Sequence, residues 1–453
     1  MAMGRKRDRQ QEMWIATNEL PRSRGHIFYD WANQVLKTAG FDAFAEGECI
    51  RFYKSETMGR PSIAPGVYFR MLLIGYFEGI DSERGIAWRC ADSLSLKSFL
   101  GYGLTDATPD HSTISRTRRL IDIETHGRIF TWMLGVLANH GLVDGKTIGV
   151  DATTLEANAA MRSIVRRDTG ESYSEFLTRL AKASGIETPT KEDLAKLDRK
   201  RPKKGSNDEW EHPDDPDAKI TKMKDGRTHL AHKAEHAVDM ETGAVLALTL
   251  QDANAGDTTT IYETLIAVAE QIETLTENAE TARTIAPNWL SELVTDKGYH
   301  SNETLIDLKE FKIRGYVSEP NRGRRNWIGK AEEQAAVYAN RRRIRGERGK
   351  RLLRRRGLML ERPFAHCYET GGMRRVHLRG RENILKRLLI HVAGFNLSLV
   401  LRLMIGKGTP RGLQDLATTY FLVAIGLIAR LQMTANVGTR LHAPKHFISR
   451  CVC

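Results

Sequence analysis

"KTIGVDATTLEA", residues 146–157, is β-branched and apolar up to Asp151, which predicts a buried strand with an acid near its C-terminal end. Upstream, residues 60–140 read as consecutive helices. Pro65 opens one whose Phe69, Leu72, Leu73, Tyr76 and Phe77 recur at helical spacing. Asp81 and Ser82 are placed to cap the next, and Asp110 in "DATPDHSTISRTRRLI" caps a helix carrying Arg116, Arg118 and Arg119. Three short helices, the last basic and rich in Ser and Thr, suit a helix-turn-helix contact with DNA. A basic helix is also a common solvated face.

Downstream, residues 160–227 are charge-rich and read as an insertion, with one short helix around 173–184 and a loop too polar to bury a core. "THLAHKAEHAVDMETGAVLALTL" (228–250) holds two strand-like runs joined at Glu241-Thr242-Gly243, a hairpin pattern. A helix follows, with Thr260 and Glu263 spaced as a capping box and Ile261, Leu265, Val268, Ile272 and Leu275 as its buried stripe. It leads into "LSELVT" (290–295), which ends on Asp296, then a helix near 302–311 and a strand at "IRGYVSE" (313–319). Three antiparallel strands followed by parallel strands with crossover helices predict an α/β domain of the RNase H-like type. The expected architecture is a mixed five-stranded sheet with flanking helices, preceded by an all-helical N-terminal DNA-binding domain.

The boundaries that follow are 1–140 for the helical domain, 141–406 for the α/β domain, and 407–453 for a final helix and tail. Within the α/β domain a second insertion, basic in character, spans about 320–358. From Arg341 to Arg356 it holds ten Lys or Arg against Glu347 alone. So dense a run is hard to keep compact without counterions and points to nucleic acid, the alternative being a solvated helix. The whole chain, 453 residues with net charge +13 and pI near 9.5, fits either a polyanionic partner or a merely basic enzyme. The N-terminus lacks the apolar stretch of a secretory signal, and the longest uncharged apolar segment, 416–429, is short for a membrane span. The expected setting is cytoplasmic, associated with the nucleoid, with no membrane. Five cysteines, Cys49, Cys90, Cys367, Cys451 and Cys453, show no CxxC spacing.

Asp151 and Asp296 would end neighbouring strands on one sheet edge, where α/β folds place their sites. Two acids there repel unless a cation neutralises them, and a hard oxygen-seeking ion such as Mg²⁺ does so while leaving room for a phosphate. A metal pair needs a third acid. Glu361, Glu369 and Glu382 all qualify, and spacing does not choose among them. Lys297 is placed to meet a phosphate, and Gly298 allows close approach. An Asp just past a strand is most often a turn residue, so each acid alone says little. His229, His232 and His236 suggest zinc, but on a strand His229 faces away from the other two and no fourth ligand is evident.

"VDATTLEANAA" (150–160), "VTDKGYHS" (294–301) and "LERPFAHCYETGGMRRVHLRGRENILKRLLIHVAGFNL" (360–397) resemble the three catalytic blocks of bacterial insertion-sequence transposases of the DDE class, of the insertion-sequence five and eleven-eighty-two kinds. "GRPSIAPGVYFRMLLIGYFEGIDSERGIAWRCADSLSLKSFLG" (59–101) and "TPDHSTISRTR" (108–118) resemble their helical N-terminal domain, and "WEHPDDPDAKI" (210–220) their insertion. The resemblance implies Asp151, Asp296 and Glu361 as the catalytic, metal-holding triad, with two Mg²⁺ ions or Mn²⁺ in their place. It implies double-stranded DNA, both terminal inverted repeats and target, as partner, and a homodimer or larger assembly on it. The residues expected to contact DNA are Arg116, Arg118, Arg119, Lys297, Arg341, Arg342, Arg343, Arg345, Arg354, Arg355, Arg356 and Arg362. Many relatives carry Tyr, Arg and Lys at set offsets around the third acid. Here those offsets hold Arg354, Gly357 and Tyr368, which leaves the basic roles to Arg356, Arg362, Arg374 or Arg375. A metal nuclease on the same fold and an inactive DNA-binding relic are the competing readings.

Overall fold

The computed structural model describes residues 16, 20, 22–53, 62–201, 205–223 and 226–414. The expected helix from about 413 to 433, the tail with Cys451 and Cys453, and the basic N-terminus lie outside them. Seven helices come first: α1 (Arg24–Thr38), α2 (Phe41–Cys49), α3 (Pro65–Glu78), α4 (Glu83–Ala91), α5 (Leu94–Leu100), α6 (His111–Leu120) and α7 (Ile123–Asn139). Their starts follow local chemistry. Pro65 stands in the first turn of α3, and Ser82, Ser93, Asp110 and Asp122 each accept a first-turn N–H at the caps of α4 to α7.

The sheet begins with β1 (Thr147–Glu156). The insertion supplies β2 (Val165–Arg166), α8 (Tyr173–Ala183), α9 (Lys191–Lys200), β3 (Trp210–Glu211) and β4 (Lys219–Lys222). Next come the hairpin strands β5 (Thr228–Asp239) and β6 (Val245–Asp252), then α10 (Asp257–Glu277), the short α11 (Ala279–Ala282), β7 (Glu292–Thr295), α12 (Asn302–Glu310) and β8 (Arg314–Val317). The main sheet runs β4-β5-β1-β7-β8, with β6 also on β5. β1, β5 and β6 are antiparallel, while β7 and β8 continue parallel to β1. The mixed sheet is therefore as expected in its path, but it has six strands rather than five, because β4 from the insertion joins β5.

Two of the outer strands, β6 and β8, are each closed by a buried asparagine. Asn396 donates to Val245 O at 2.8 Å and accepts from Val245 N at 3.0 Å on β6, while Asn340 makes the same pair with Val317 on β8 at 2.8 and 3.1 Å. Each thus satisfies an edge backbone that would otherwise seek another strand.

The basic tract does not stay loose. It forms α13 (Ala331–Arg345) and α14 (Glu347–Phe364), and α14 lies against β1 and β7. The charged insertion also departs from expectation, since it buries a small core of its own. Trp210, 1% exposed, packs edge-on against Tyr173 and Phe176 with Ile164 and Leu177 alongside. Aromatic area concentrated in a few residues compensates for the polar remainder. Thr260 and Glu263 form no capping box, because α10 starts earlier, at Asp257 with Gly256 as its cap.

The last described long helix, α15 (Arg381–Ile405), is apolar on nearly every side. By length and composition it is able to cross a membrane, yet it is buried against α3, α7 and β6. It joins the helical and sheet regions into one core. Arg387, 2% exposed, threads between α3 residues to donate to Leu72 O and Ile80 O at 2.9 and 3.0 Å. Gly75 leaves the space its guanidinium fills.

Candidate active site

β1 and β7 are parallel, with Gly149 level with Val294. Carrying that register on by two residues brings Asp151 level with Asp296. Asp296 directly follows β7, but Asp151 lies midway along β1, which runs on to Glu156 through its pairing with β5 instead of ending at Asp151 as expected. Gly149, Asp151 and Thr153 share the face that α14 covers. Leu360 lies where a side chain on Gly149 would sit, and Arg356 Nη1 donates to Asp151 Oδ2 at 3.1 Å. Asp151 Oδ1 accepts from Ala152 N at 2.8 Å. Burial pushes the Asp151 carboxyl pKa up, and Asp296 and Asp257 push the same way against Arg356 and the Ala152 N–H. Asp296 caps a single 3₁₀ turn, Lys297–Tyr299, accepting from Gly298 N at 2.8 Å.

Glu361 is exposed on α14, one turn on from Gly357 and more than a turn from Arg356. Among the described residues no three His, Cys, Asp or Glu side chains converge closely enough to share a metal. Glu369 pairs with Arg374 and Glu382 with Lys386. Directly after Glu361, Pro363 sits inside α14, and the chain passes into a π-helical turn, Ala365–Thr370. Pro removes a helical donor, and such turns recur at functional sites. The turn buries Tyr368, whose hydroxyl is 2.6 Å from His236 Nε2 on β5, level with Asp151. Burial holds the His236 pKa down to about 3, so its ring is neutral.

Of the arginines left open by the sequence, three reach β1. Arg356 holds Asp151, and Arg374 donates to Thr153 Oγ1 at 2.8 Å. Arg375 approaches Glu156 at 3.9 Å, and Arg362 is half-buried.

The residues expected to contact DNA divide by exposure. Arg116, Arg119, Lys297, Arg342, Arg345 and Arg354 are open to solvent. Arg118 is not: it is buried, donating to Glu83 Oε1 at 2.8 Å and Asn383 Oδ1 at 2.6 Å, and so ties α6 to α4 and α15. Arg341 forms a bidentate pair with Glu319 at 2.7 Å, Arg343 donates to Gly315 O, and Arg355 pairs with Glu241. Those four, with Arg356, are committed within the fold. The histidines form no zinc site. His232 lies 3.3 Å from Asp215, His236 faces Tyr368, and His229 is 3.8 Å from Glu156.

The opposite face of the sheet carries what the residue pattern did not single out. Lys233 and Glu235 project from β5 towards α10, Lys233 onto Asp257 and Thr260, Glu235 onto Thr260, Thr264 and Tyr299. Two charges at alternate positions of an apolar strand were the available signal. Gly298 has the role of making room, as expected, but for Asp257: a Cβ there would overlap the Asp257 carboxylate.

An RNase H-like sheet order with level aspartates on its two central parallel strands, one within β1 and one just past β7, defines a class of enzymes that cut nucleic acid. The comparisons make this specific. Residues 23–120 match the family model Transposase domain (DUF772), and residues 201–397 match Transposase DDE domain. No curated protein matches the chain. The chain belongs to the DDE transposases of insertion sequences, DNA-acting enzymes of transposition and recombination whose DDE domain carries the RNase H-like fold. Asp151 falls between the two matched stretches, so its place in the site rests on the register with Asp296.

Proposed function

We propose that this transposase, of the insertion-sequence five or eleven-eighty-two kind, binds the terminal inverted repeats of its own element in the bacterial cytoplasm. It cuts the phosphodiester at the element end and joins the freed 3′-hydroxyl to target DNA. The observation that carries this reading is the level pair Asp151 and Asp296 under a helix bearing Glu361 and solvent-facing arginines.

The donor set fits a hard divalent cation. Asp151 is half-desolvated beside two further carboxylates and already has a guanidinium at one oxygen, the environment that a cation relieves. Asp151 and Asp296 would hold Mg²⁺, or Mn²⁺ in its place, with Glu361 entering from α14 as third ligand. A pair of such ions supplies activation of the attacking oxygen and stabilisation of the leaving one. Arg356, which holds Asp151 here, would be the residue to give way to a cation at that carboxylate and to meet a phosphate oxygen instead. Arg374 keeps β1 fixed through Thr153, and Tyr368 with His236 holds the π turn beneath it. Lys297, Arg342, Arg345 and Arg354 line the approach of the duplex, and Arg116 and Arg119 serve it from α6. Two ends must be cut together, so a homodimer or larger assembly works on the DNA.

A strand-transfer assay with Mg²⁺ and labelled element ends tests this. Joined product is expected. Cleavage without joining favours a nuclease, no cleavage an inactive DNA binder, and full cleavage by Asp296→Asn overturns the metal assignment.

A further inference from the structure

Behind the two aspartates, on the face away from α14, polar groups form a continuous chain. Asp257 accepts from Lys233 Nζ at 2.5 Å, and Lys233 also donates to Thr260 Oγ1 at 3.0 Å. Thr260 donates to Glu235 Oε1 at 2.9 Å, and that same oxygen accepts from Tyr299 Oη at 2.7 Å. Glu235 is fully buried, Tyr299 is 1% exposed and Lys233 4%. Such groups are tolerated inside a fold only when satisfied, and here each satisfies the next.

Both ends of the chain terminate on one short turn. Tyr299 is the last residue of the 3₁₀ turn that Asp296 caps. Asp257 presses its carboxylate against Gly298, in the middle of that turn, so closely that no Cβ fits between them. The other strand is engaged too, since Glu235 pairs in register with Ala152, the neighbour of Asp151.

We propose that Lys233 and Glu235 are positioning residues that set Asp296 opposite Asp151, Glu235 through Tyr299 and Lys233 through Asp257. Neither touches the reacting atoms. Among the described residues Asp296 is itself tied only to this turn, through the Gly298 N–H at 2.8 Å, so Tyr299 and Asp257, which hold the turn, set the angle at which Asp296 leaves β7. The chain rests on the reading of Asp151 and Asp296 as metal ligands given above. Partners that orient metal ligands typically change metal affinity about 10- to 100-fold when removed.

The test is Mn²⁺ binding to the full-length protein, without DNA, followed by electron paramagnetic resonance and calorimetry. Tyr299→Phe and Lys233→Met are expected to weaken binding about tenfold each, with the folded far-ultraviolet spectrum retained and Lys233→Arg recovering most of the loss. Tyr262→Phe, which removes a hydroxyl of α10 that bonds Asp307 instead, serves as control and binds as wild type. Wild-type affinity in both Tyr299→Phe and Lys233→Met, while Asp296→Asn binds poorly, would overturn the positioning role and leave the proposed function standing. Unchanged binding by Asp296→Asn would instead overturn both.

Discussion

Arg356, on α14, donates to Asp151, on β1, at 3.1 Å across 205 residues of sequence. It is the one cation that touches an aspartate of the level pair among the described residues, and with the Ala152 N–H it opposes burial, Asp296 and Asp257, which together push the Asp151 carboxyl towards its neutral form. Asp151 is accordingly held at some expense to the fold.

A carboxyl whose folded pKa is raised contributes its full stability below the unfolded value and loses it as pH rises through the folded one. Asp151→Asn removes that loss, so the variant should be more stable than wild type by about 1 kcal/mol at neutral pH and equal to it near about pH 3. Urea denaturation at both pH values measures this. A variant less stable at neutral pH contradicts the assignment of Asp151 as a strained carboxylate.

Glu319 behaves oppositely. The bidentate Arg341 guanidinium holds its carboxyl below the usual glutamate range. The pair therefore stabilises above the unfolded pKa, and the contribution disappears as pH falls through the depressed one. Glu319→Gln should cost about 1–2 kcal/mol at pH 7, a gap that narrows steadily towards about pH 3. Thermal melts across that range would expose a pH-independent gap, which is the contrary result.

The arginines of α6 should separate cleanly. Arg118→Ala strands Glu83 and Asn383 and should destabilise by about 2–4 kcal/mol. Arg116→Ala and Arg119→Ala should change stability by no more than about 0.5 kcal/mol. Each should instead lower the salt dependence of DNA affinity by about one phosphate contact. If Arg118→Ala weakens DNA binding at full stability, its placement inside the fold is mistaken.

Asn340→Leu and Asn396→Leu each leave a buried N–H and C=O on an outer strand without partners. We expect a loss of about 2–4 kcal/mol for each, and additivity between them, because they close opposite edges. Denaturant titration of both single variants and the double variant decides the point, and a neutral Asn396→Leu would remove the edge-closing role.

Much of this protein is legible locally. Ser82 and Asp110 announce helix starts because a cap needs only its own next three residues. The two strand-like runs in 228–250 announce the hairpin, and the tight Gly243 turn, in the left-handed region at φ 81°, closes it. The polar composition of 160–227 misled, because a core can be assembled from a few aromatics such as Trp210 and Phe176 that composition averages away. The boundary near 140 marks a change of period, yet α15 binds both sides of it into one core, through contacts such as Arg387 on α3.

By itself the sequence determined the order of the main strands β1, β5, β6, β7 and β8 with the helices between them, and it marked the two aspartates, although β1 runs on past Asp151 to Glu156. Period and capping are properties of neighbouring residues. Only the tertiary structure decided which charges are spent inside the fold. Arg118 meets Asn383, Arg356 meets Asp151, and Tyr299 meets Glu235, each across 64 or more positions. An arginine reads the same in sequence whether it faces water or a carboxylate. Burial separates the two, and burial is set by packing between distant segments.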